Sequence, residues 1–452
     1  MELHTIPYRD KIIVYRPLQQ LAFIGNRAMA RLCERFAAGE VPPAADDQPT
    51  GFLRAIGFFE EDQQPEQQPM DADPFRPAVC VLFLTNTCNL RCIYCYAHGG
   101  GEAPAKRLPL ALARAAMETV CRHAADRGQD HFSLCFHGGG EPTTAWTLLT
   151  DCVALARQAP LPARINLTSN GVWSKEQRAW ILDNLDEISL SFDGPPAIQN
   201  RQRPTRSGDE SHRSAMRTVQ ELDRRGMAYG IRVTVVDRSI ERIPEIVEYL
   251  CRETGAQAFQ VEPAFDHGRA RTDRVALAQH AAFTEAFMAG YDIACRHGRH
   301  MYYSGARPWL LTDRFCGAFA KALIVGPDGF LTSCYEICDR QHELAGDFIF
   351  GDMQPDGAIG IDAGIRQAFL AKIEERRQTC RTCFCFRHCA GDCPSKTFSA
   401  RTGGHLHHGS RCELNRTLTR ELIVHSIAAG NGLWRGRAQA VPGPCGHTGE
   451  TA

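Results

Sequence analysis

The sequence has no apolar run near the eighteen or so residues that a membrane-spanning helix needs, and its polar start, Met1–Asp10, lacks the basic-then-apolar pattern of a secretion signal. A membrane partner is not expected, and a cytoplasmic location is. An excess of either charge is also missing: 51 Lys and Arg stand against 52 Asp and Glu in 452 residues. No whole-chain field then draws in nucleic acid or an anionic membrane surface. Aromatics are sparse at 8%, but 44% hydrophobic and 23% charged residues make a globular composition long enough for two or three domains. Cysteine is the exception, with 20 residues. A reducing compartment does not keep structural disulfides, so these thiols are either buried apolar residues or metal ligands, and their spacing decides which.

Residues 1–60 read as a small α+β module, with strand-like Asp10–Tyr15 and Gln20–Ile24 ahead of a helical pattern from Asn26 to Ala38. A Gln- and Pro-rich run within 61–77 reads as a linker. From residue 78 to about 300, apolar β-type runs alternate with helical stretches. The strands are Val79–Leu84, Phe132–Phe136, Arg164–Thr168, Ile188–Phe192, Ile231–Val236 and Ala258–Glu262. Six strand–helix units predict an α/β fold in which parallel strands close into a full or partial barrel, with chemistry in the loops after the strands. Residues 301–430 break into short strands, turns and closely spaced Cys, and 431–452, rich in Gly and Pro, are expected to be a mobile tail.

The loop after the first barrel strand carries Cys88, Cys92 and Cys95. Three thiolates there can hold one [4Fe–4S] cluster with one iron left open. A zinc site with a distant fourth ligand, or three buried Cys, are the alternatives. With Tyr94 just before the third Cys, the segment resembles the signature of the radical S-adenosylmethionine (radical SAM) enzymes. The resemblance implies a partial (β/α)6 barrel in which the open iron binds S-adenosylmethionine, whose one-electron cleavage yields a 5′-deoxyadenosyl radical that takes a hydrogen atom from substrate. It extends to the later strand ends. Gly139, Gly140 and Glu141 are similar to the segment that meets the methionine ammonium, Glu141 as counter-charge. Ser169 and Asn170 match the ribose contacts, and Ser191 and Arg203 the holders of the methionine carboxylate. Val261 matches an apolar residue packed on adenine; Asp193 is either a turn residue or a ligand contact.

In the last third, Cys316, Cys334, Cys380, Cys383, Cys389, Cys393 and Cys412 follow the spacing of the seven-cysteine SPASM domain. That resemblance implies two auxiliary clusters, making three [4Fe–4S] clusters in all. Cys380, Cys383, Cys389 and Cys412 would hold the outer one, and Cys316, Cys334 and Cys393 the inner one, whose fourth ligand is Cys338, Cys385 or an open position. A paired zinc ribbon is the alternative. The remaining Cys, at 33, 80, 121, 135, 152, 251, 295 and 445, read as core residues, and His98, His137 and the His405–His408 run as solvated loop histidines.

SPASM proteins mostly modify peptides. The leading reading is therefore a maturase of a ribosomally made precursor peptide (a RiPP), forming a side-chain cross-link and fed electrons by a flavodoxin- or ferredoxin-type reductant. A sulfatase maturase making formylglycine is the rival, and a non-catalytic iron–sulfur electron carrier comes from another class. Sulfatase maturases resemble one another in an Asp after the second SPASM Cys; here Tyr335 and Glu336 follow Cys334 and become the candidate catalytic residues. The first sixty residues resemble peptide-recognition modules that take a leader as an added strand, expected here along Lys11–Tyr15.

Overall fold

The computed structural model describes residues 1–42, 47–63, 75–276, 279–354, 356, 358–398 and 410–436. Most of the expected linker and tail, the His405–His408 run and Cys445 lie outside these residues.

The chain opens with three antiparallel strands, β1 (His4–Tyr8), β2 (Lys11–Arg16) and β3 (Leu21–Gly25), followed by a helix at Arg27–Ala37. Sequence patterning marks only the last two strands, because Pro7 interrupts the first. The helix starts where the Asn26 side chain accepts the Met29 N–H at 2.9 Å, satisfying one of the donors that a helix N-terminus leaves unpaired. Its inner face joins Val14, Phe23, Leu53 and Phe58 in a core of its own. A fourth strand, Leu433–Arg435, comes from the far end of the chain and pairs with β3. This corrects the expected loose tail at its first residues: Trp434 is buried against Tyr15, Ile423 and Ile427. The expected docking line also changes. β2 lies between β1 and β3, so no strand can add along Lys11–Tyr15, and among the described residues the open edges are those of β1 and of the Leu433–Arg435 strand.

Among the described residues the main sheet has eleven strands. Seven are parallel and contiguous: β4 (Val79–Leu82), β5 (Phe132–Phe136), β6 (Ala163–Ser169), β7 (Glu187–Ser191), β8 (Tyr229–Val235), β9 (Ala258–Pro263) and β10 (His300–Tyr302). The first six are the predicted strands, and the crossovers hold the predicted helices, such as Leu110–Asp126, Trp146–Arg157 and Ile243–Glu253. Beyond β4 the sheet continues into β11 (Ala322–Val325), parallel to it, and an antiparallel meander of β12 (Phe330–Thr332), β13 (Ile349–Met353) and β14 (Ile359–Ile361). The cysteine-rich last third is thus sewn onto the partial barrel through backbone hydrogen bonds.

Side chains alternate across each strand, which sorts the barrel into two faces. Cys80, Leu82, Leu134, Phe136, Ile165, Leu167, Leu190, Ile231, Val233 and Phe259 point outward and share one core with the helices. Truncating one of them costs about 2–5 kcal/mol. The opposite face lines the lumen. On the β4–β5 side it is apolar, with Val81, Phe83 and Cys135 against Ile324; from β6 to β9 the alternate positions are Asn166, Thr168, Ser189, Ser191, Arg232, Gln260 and Glu262. A half-apolar, half-polar chamber results.

Candidate active site

Cys88, Cys92 and Cys95 sit in the loop after β4, none in a disulfide. Burial is the main force raising the Cys92 thiol to about 12 and Cys88 still further, and the neighbouring thiols add to it. Thiols crowded within reach of one another's charge are a donor set that a cluster of iron, binding thiolates, would relieve, so this loop fits a [4Fe–4S] group. The loop is clamped by a residue that sequence reading passed over. Buried Arg269 donates to the Cys92 carbonyl at 2.7 Å and to the Gly99 carbonyl at 2.8 Å. Beside it Gly268 has φ +51, and a Cβ there would stand 2.5 Å from the Cys95 carbonyl oxygen, so only glycine lets the post-β9 segment come this close.

The strand ends pack on this loop. Gly140 lies where a Cβ would meet the Thr87 carbonyl oxygen at 2.0 Å, and Gly139 lies against Thr85. Glu141 departs from expectation. Its carboxylate accepts the Thr143 N–H and hydroxyl, the Ser169 hydroxyl at 2.7 Å and the Asn170 N–H at 2.9 Å, and it is buried. Four protein donors occupy it, so it ties the β5 and β6 ends together rather than standing free for an ammonium group. Ser169 is likewise taken, by Glu141 and by the Trp173 indole N–H at 2.8 Å. Asn170 does reach the cysteine loop, donating to Asn89 at 2.7 Å with the Cys88 Sγ 3.9 Å away.

After β7, Asp193 is fully buried, with no room for a ligand on its carboxylate: it accepts from the Tyr94 hydroxyl at 2.5 Å, Gln202 at 2.7 Å and the Thr234 N–H at 3.0 Å. Arg203 pairs with it, lies over the Tyr94 ring at 5.2 Å, and has a guanidinium nitrogen 4.0 Å from the Cys92 Sγ. Val261 corrects another expectation. It is fully buried in the core between barrel and helices, because β9 alternation turns Gln260 and Glu262, not Val261, to the lumen.

In the last third, Cys380, Cys383, Cys389 and Cys412 line one pocket together with Cys385. Thiols from a helix end, a turn and the helix Ser410–Ala429 converge on this pocket, a donor set of the kind that holds a cluster, so these residues also fit one. Cys334 is raised by burial, with Cys393 and Cys316 close enough to add their charge. Cys338 turns the other way: its thiol donates to the Tyr335 carbonyl at 3.2 Å, and its Cβ packs toward Gly139. A tetrahedral zinc site draws thiolates to about 2.3 Å from one ion. Among the described residues no three His, Cys, Asp or Glu side chains gather that way.

Of the other Cys, those at 33, 80, 121, 135, 152 and 251 are buried as expected; Cys295 is exposed. His137 is not a solvated loop residue: half-buried, it lies 4.7 Å ring to ring from Tyr335, and burial holds it down at about 4. Glu336 accepts from Ser395 at 2.6 Å and Lys396 at 2.9 Å. Although burial works against it, Lys396 keeps its carboxyl near 2. A carboxylate held that low is a weak proton acceptor.

Comparison with known proteins gives matching results. Residues 82–250 match the Radical SAM superfamily. The serine-type anaerobic sulfatase-maturating enzyme of Klebsiella aerogenes is 25% identical over 354 residues, 73% of this chain and 83% of that protein. The sporulation killing factor maturation protein SkfB of Bacillus subtilis is 26% identical over 273 residues, 58% of this chain and 61% of its own. Among solved structures, Streptococcus suis SuiB bound to S-adenosylmethionine superposes with a TM-score of 0.51 at 14% identity, covering 88% of this chain and 95% of that one. No described helix is long and apolar enough to cross a membrane.

Proposed function

On a chain whose residues 82–250 match the radical SAM superfamily, and which is therefore an enzyme equipped for a [4Fe–4S] cluster and S-adenosylmethionine, we propose that the activity is radical maturation of a ribosomally made precursor peptide, with a cross-link formed at its side chains. When bound, the cluster and S-adenosylmethionine supply one-electron chemistry that ends in hydrogen abstraction from substrate. Cys88, Cys92 and Cys95 would hold that cluster. Tyr94, Gly139, Gly140, Asn170, Ser191 and Arg203 would frame S-adenosylmethionine, and the Asp193 pair would keep Arg203 in place.

The observation that carries the peptide-maturase reading is the convergence of four thiols on one pocket. It supports an auxiliary cluster held by Cys380, Cys383, Cys389 and Cys412, with Cys316, Cys334 and Cys393 as the ligands of another, hence three clusters. Cys385 already lines the outer space and Cys338 faces Gly139, so the inner set keeps three thiol ligands. Tyr335, tilted against His137 at the barrel mouth, is the residue proposed to meet substrate. Glu336, tied to Lys396, shapes that mouth rather than acting as base. A sulfatase-type activity would need a base after Cys334, and Glu336 held near 2 fills that role poorly. The precursor's leader would add to the open edge of β1, and a flavodoxin- or ferredoxin-type protein would deliver the electron.

The test is anaerobic incubation of the reconstituted enzyme with S-adenosylmethionine, reductant, and either a candidate precursor or a sulfatase-type Cys/Ser peptide, read by mass spectrometry. Loss of two hydrogens from the precursor supports the reading; efficient formylglycine formation overturns it.

A further inference from the structure

The lumen holds a cation that the chain itself does not neutralise. Arg232 stands in the middle of β8, whose outward residues Ile231 and Val233 belong to the barrel–helix core, so alternation sends Arg232 inward. It pairs in register with Ser191 on one side and Gln260 on the other. Among the described residues its half-buried guanidinium has neither a hydrogen bond nor an ion pair.

Its neighbours are already committed. Glu262, on the same face, accepts from Gln260 at 3.0 Å and from the Ser304 N–H at 2.8 Å. Arg203, another cation near the strand ends, is paired with Asp193. Arg232 instead lies within electrostatic reach of His137, Tyr96 and Tyr302, groups on three separate walls of the chamber. Two further buried atoms on the lumen side have no partner: His137 Nδ1 and Thr168 Oγ1. They belong to neighbouring strand ends, since Phe136 pairs with Leu167. Unmet buried polar atoms are costly unless a ligand completes them, and the Arg232 guanidinium, which keeps some exposure, is free to face the same ligand.

We infer that Arg232 binds a carboxylate at the centre of the barrel, with His137 and Thr168 beside it as neutral hydrogen-bonding partners. The inference rests on the peptide-maturase reading and adds to it a substrate feature: an acidic side chain next to the residue that reacts. A planar guanidinium takes a carboxylate in two parallel hydrogen bonds, an arrangement that an amide of the same shape cannot match. The same chemistry is present on the methionine end of S-adenosylmethionine, and the experiment separates the two sources.

The probes are S-adenosylmethionine, its decarboxylated analogue, and two acetylated, amidated pentapeptides, Ala-Ala-Glu-Ala-Ala and Ala-Ala-Gln-Ala-Ala, titrated into the reconstituted holoenzyme. For wild type, the Glu peptide should bind at least about tenfold more tightly than its Gln isostere, and Arg232→Gln should erase that preference while Arg232→Lys keeps part of it. If Arg232→Gln instead weakens S-adenosylmethionine about tenfold but leaves its decarboxylated analogue unchanged, the carboxylate served is the cofactor's, and the carboxylate assignment stands. Equal binding of the two peptides by wild type, together with unaltered S-adenosylmethionine affinity in Arg232→Gln or Arg232→Lys, overturns it. Failure of wild type to bind S-adenosylmethionine at all would sink the functional reading itself, a separate result.

Discussion

Asp193 and Arg203 form an ion pair, Nε to carboxylate at 3.0 Å, in which Asp193 has no exposed surface and Arg203 is covered by the Tyr94 ring. The pair joins the post-β7 turn to the first cysteine loop, because Tyr94 donates to the same carboxylate. A loop that carries the three proposed cluster ligands is thereby positioned by Asp193, which touches none of them.

Removing the carboxylate leaves Arg203 buried and uncompensated. Asp193→Asn is expected to lower unfolding stability by about 3–5 kcal/mol. The milder Tyr94→Phe, which keeps the pair and loses one hydrogen bond, should cost only about 1–2 kcal/mol. Denaturant midpoints of the two variants check this; equal losses would show that the ion pair is not what holds the turn.

The four-thiol space makes a second prediction. Cys383→Ala should remove one cluster of three, about four of twelve iron atoms, while reductive cleavage of S-adenosylmethionine persists and precursor modification is lost. Iron analysis and product mass spectrometry on the folded variant test it. Parallel loss of both activities would contradict a separate role for the outer site.

How much of this was legible in the sequence follows from what each signal encodes. Six strand–helix units could be read because outward positions such as Leu134–Phe136 and Ile231–Val233 repeat with period two, between helices of period near 3.6. The strand β1 and the pairing of Leu433–Arg435 with β3 could not: one is broken by Pro7, and the other is a contact between chain ends more than four hundred residues apart. Cysteine spacing marked both thiol groups. Side-chain direction is not encoded in spacing, so Glu141 was expected at a ligand and is consumed by Thr143, Ser169 and Asn170, and Val261 was expected at adenine and faces the helices. Arg269 and Arg232 carried no motif; each became visible only when its strand or loop was placed.

A pH dependence follows from His300 on β10. It lies edge-on to Trp309 with ring centroids at 5.2 Å, its Nε2 has no partner, and burial lowers it from an ordinary 6.5 to about 4. The unfolded chain therefore takes up this proton at a higher pH than the folded one. Stability from this residue is complete above pH 6.5 and is lost as pH falls from there toward 4. Urea midpoints at pH 7 and pH 5 should converge in His300→Gln relative to wild type; an unchanged acid slope would show that His300 is not a source of it.

The central claim is that Cys88, Cys92 and Cys95 hold the cluster at which S-adenosylmethionine is cleaved. The most direct measurement is the yield of 5′-deoxyadenosine from reconstituted enzyme, S-adenosylmethionine and dithionite without substrate, for wild type and for the variant with all three Cys changed to Ala. The account predicts 5′-deoxyadenosine from wild type and none from the triple variant, whose remaining iron should be about two thirds of the wild-type content. Undiminished 5′-deoxyadenosine from the triple variant would contradict it.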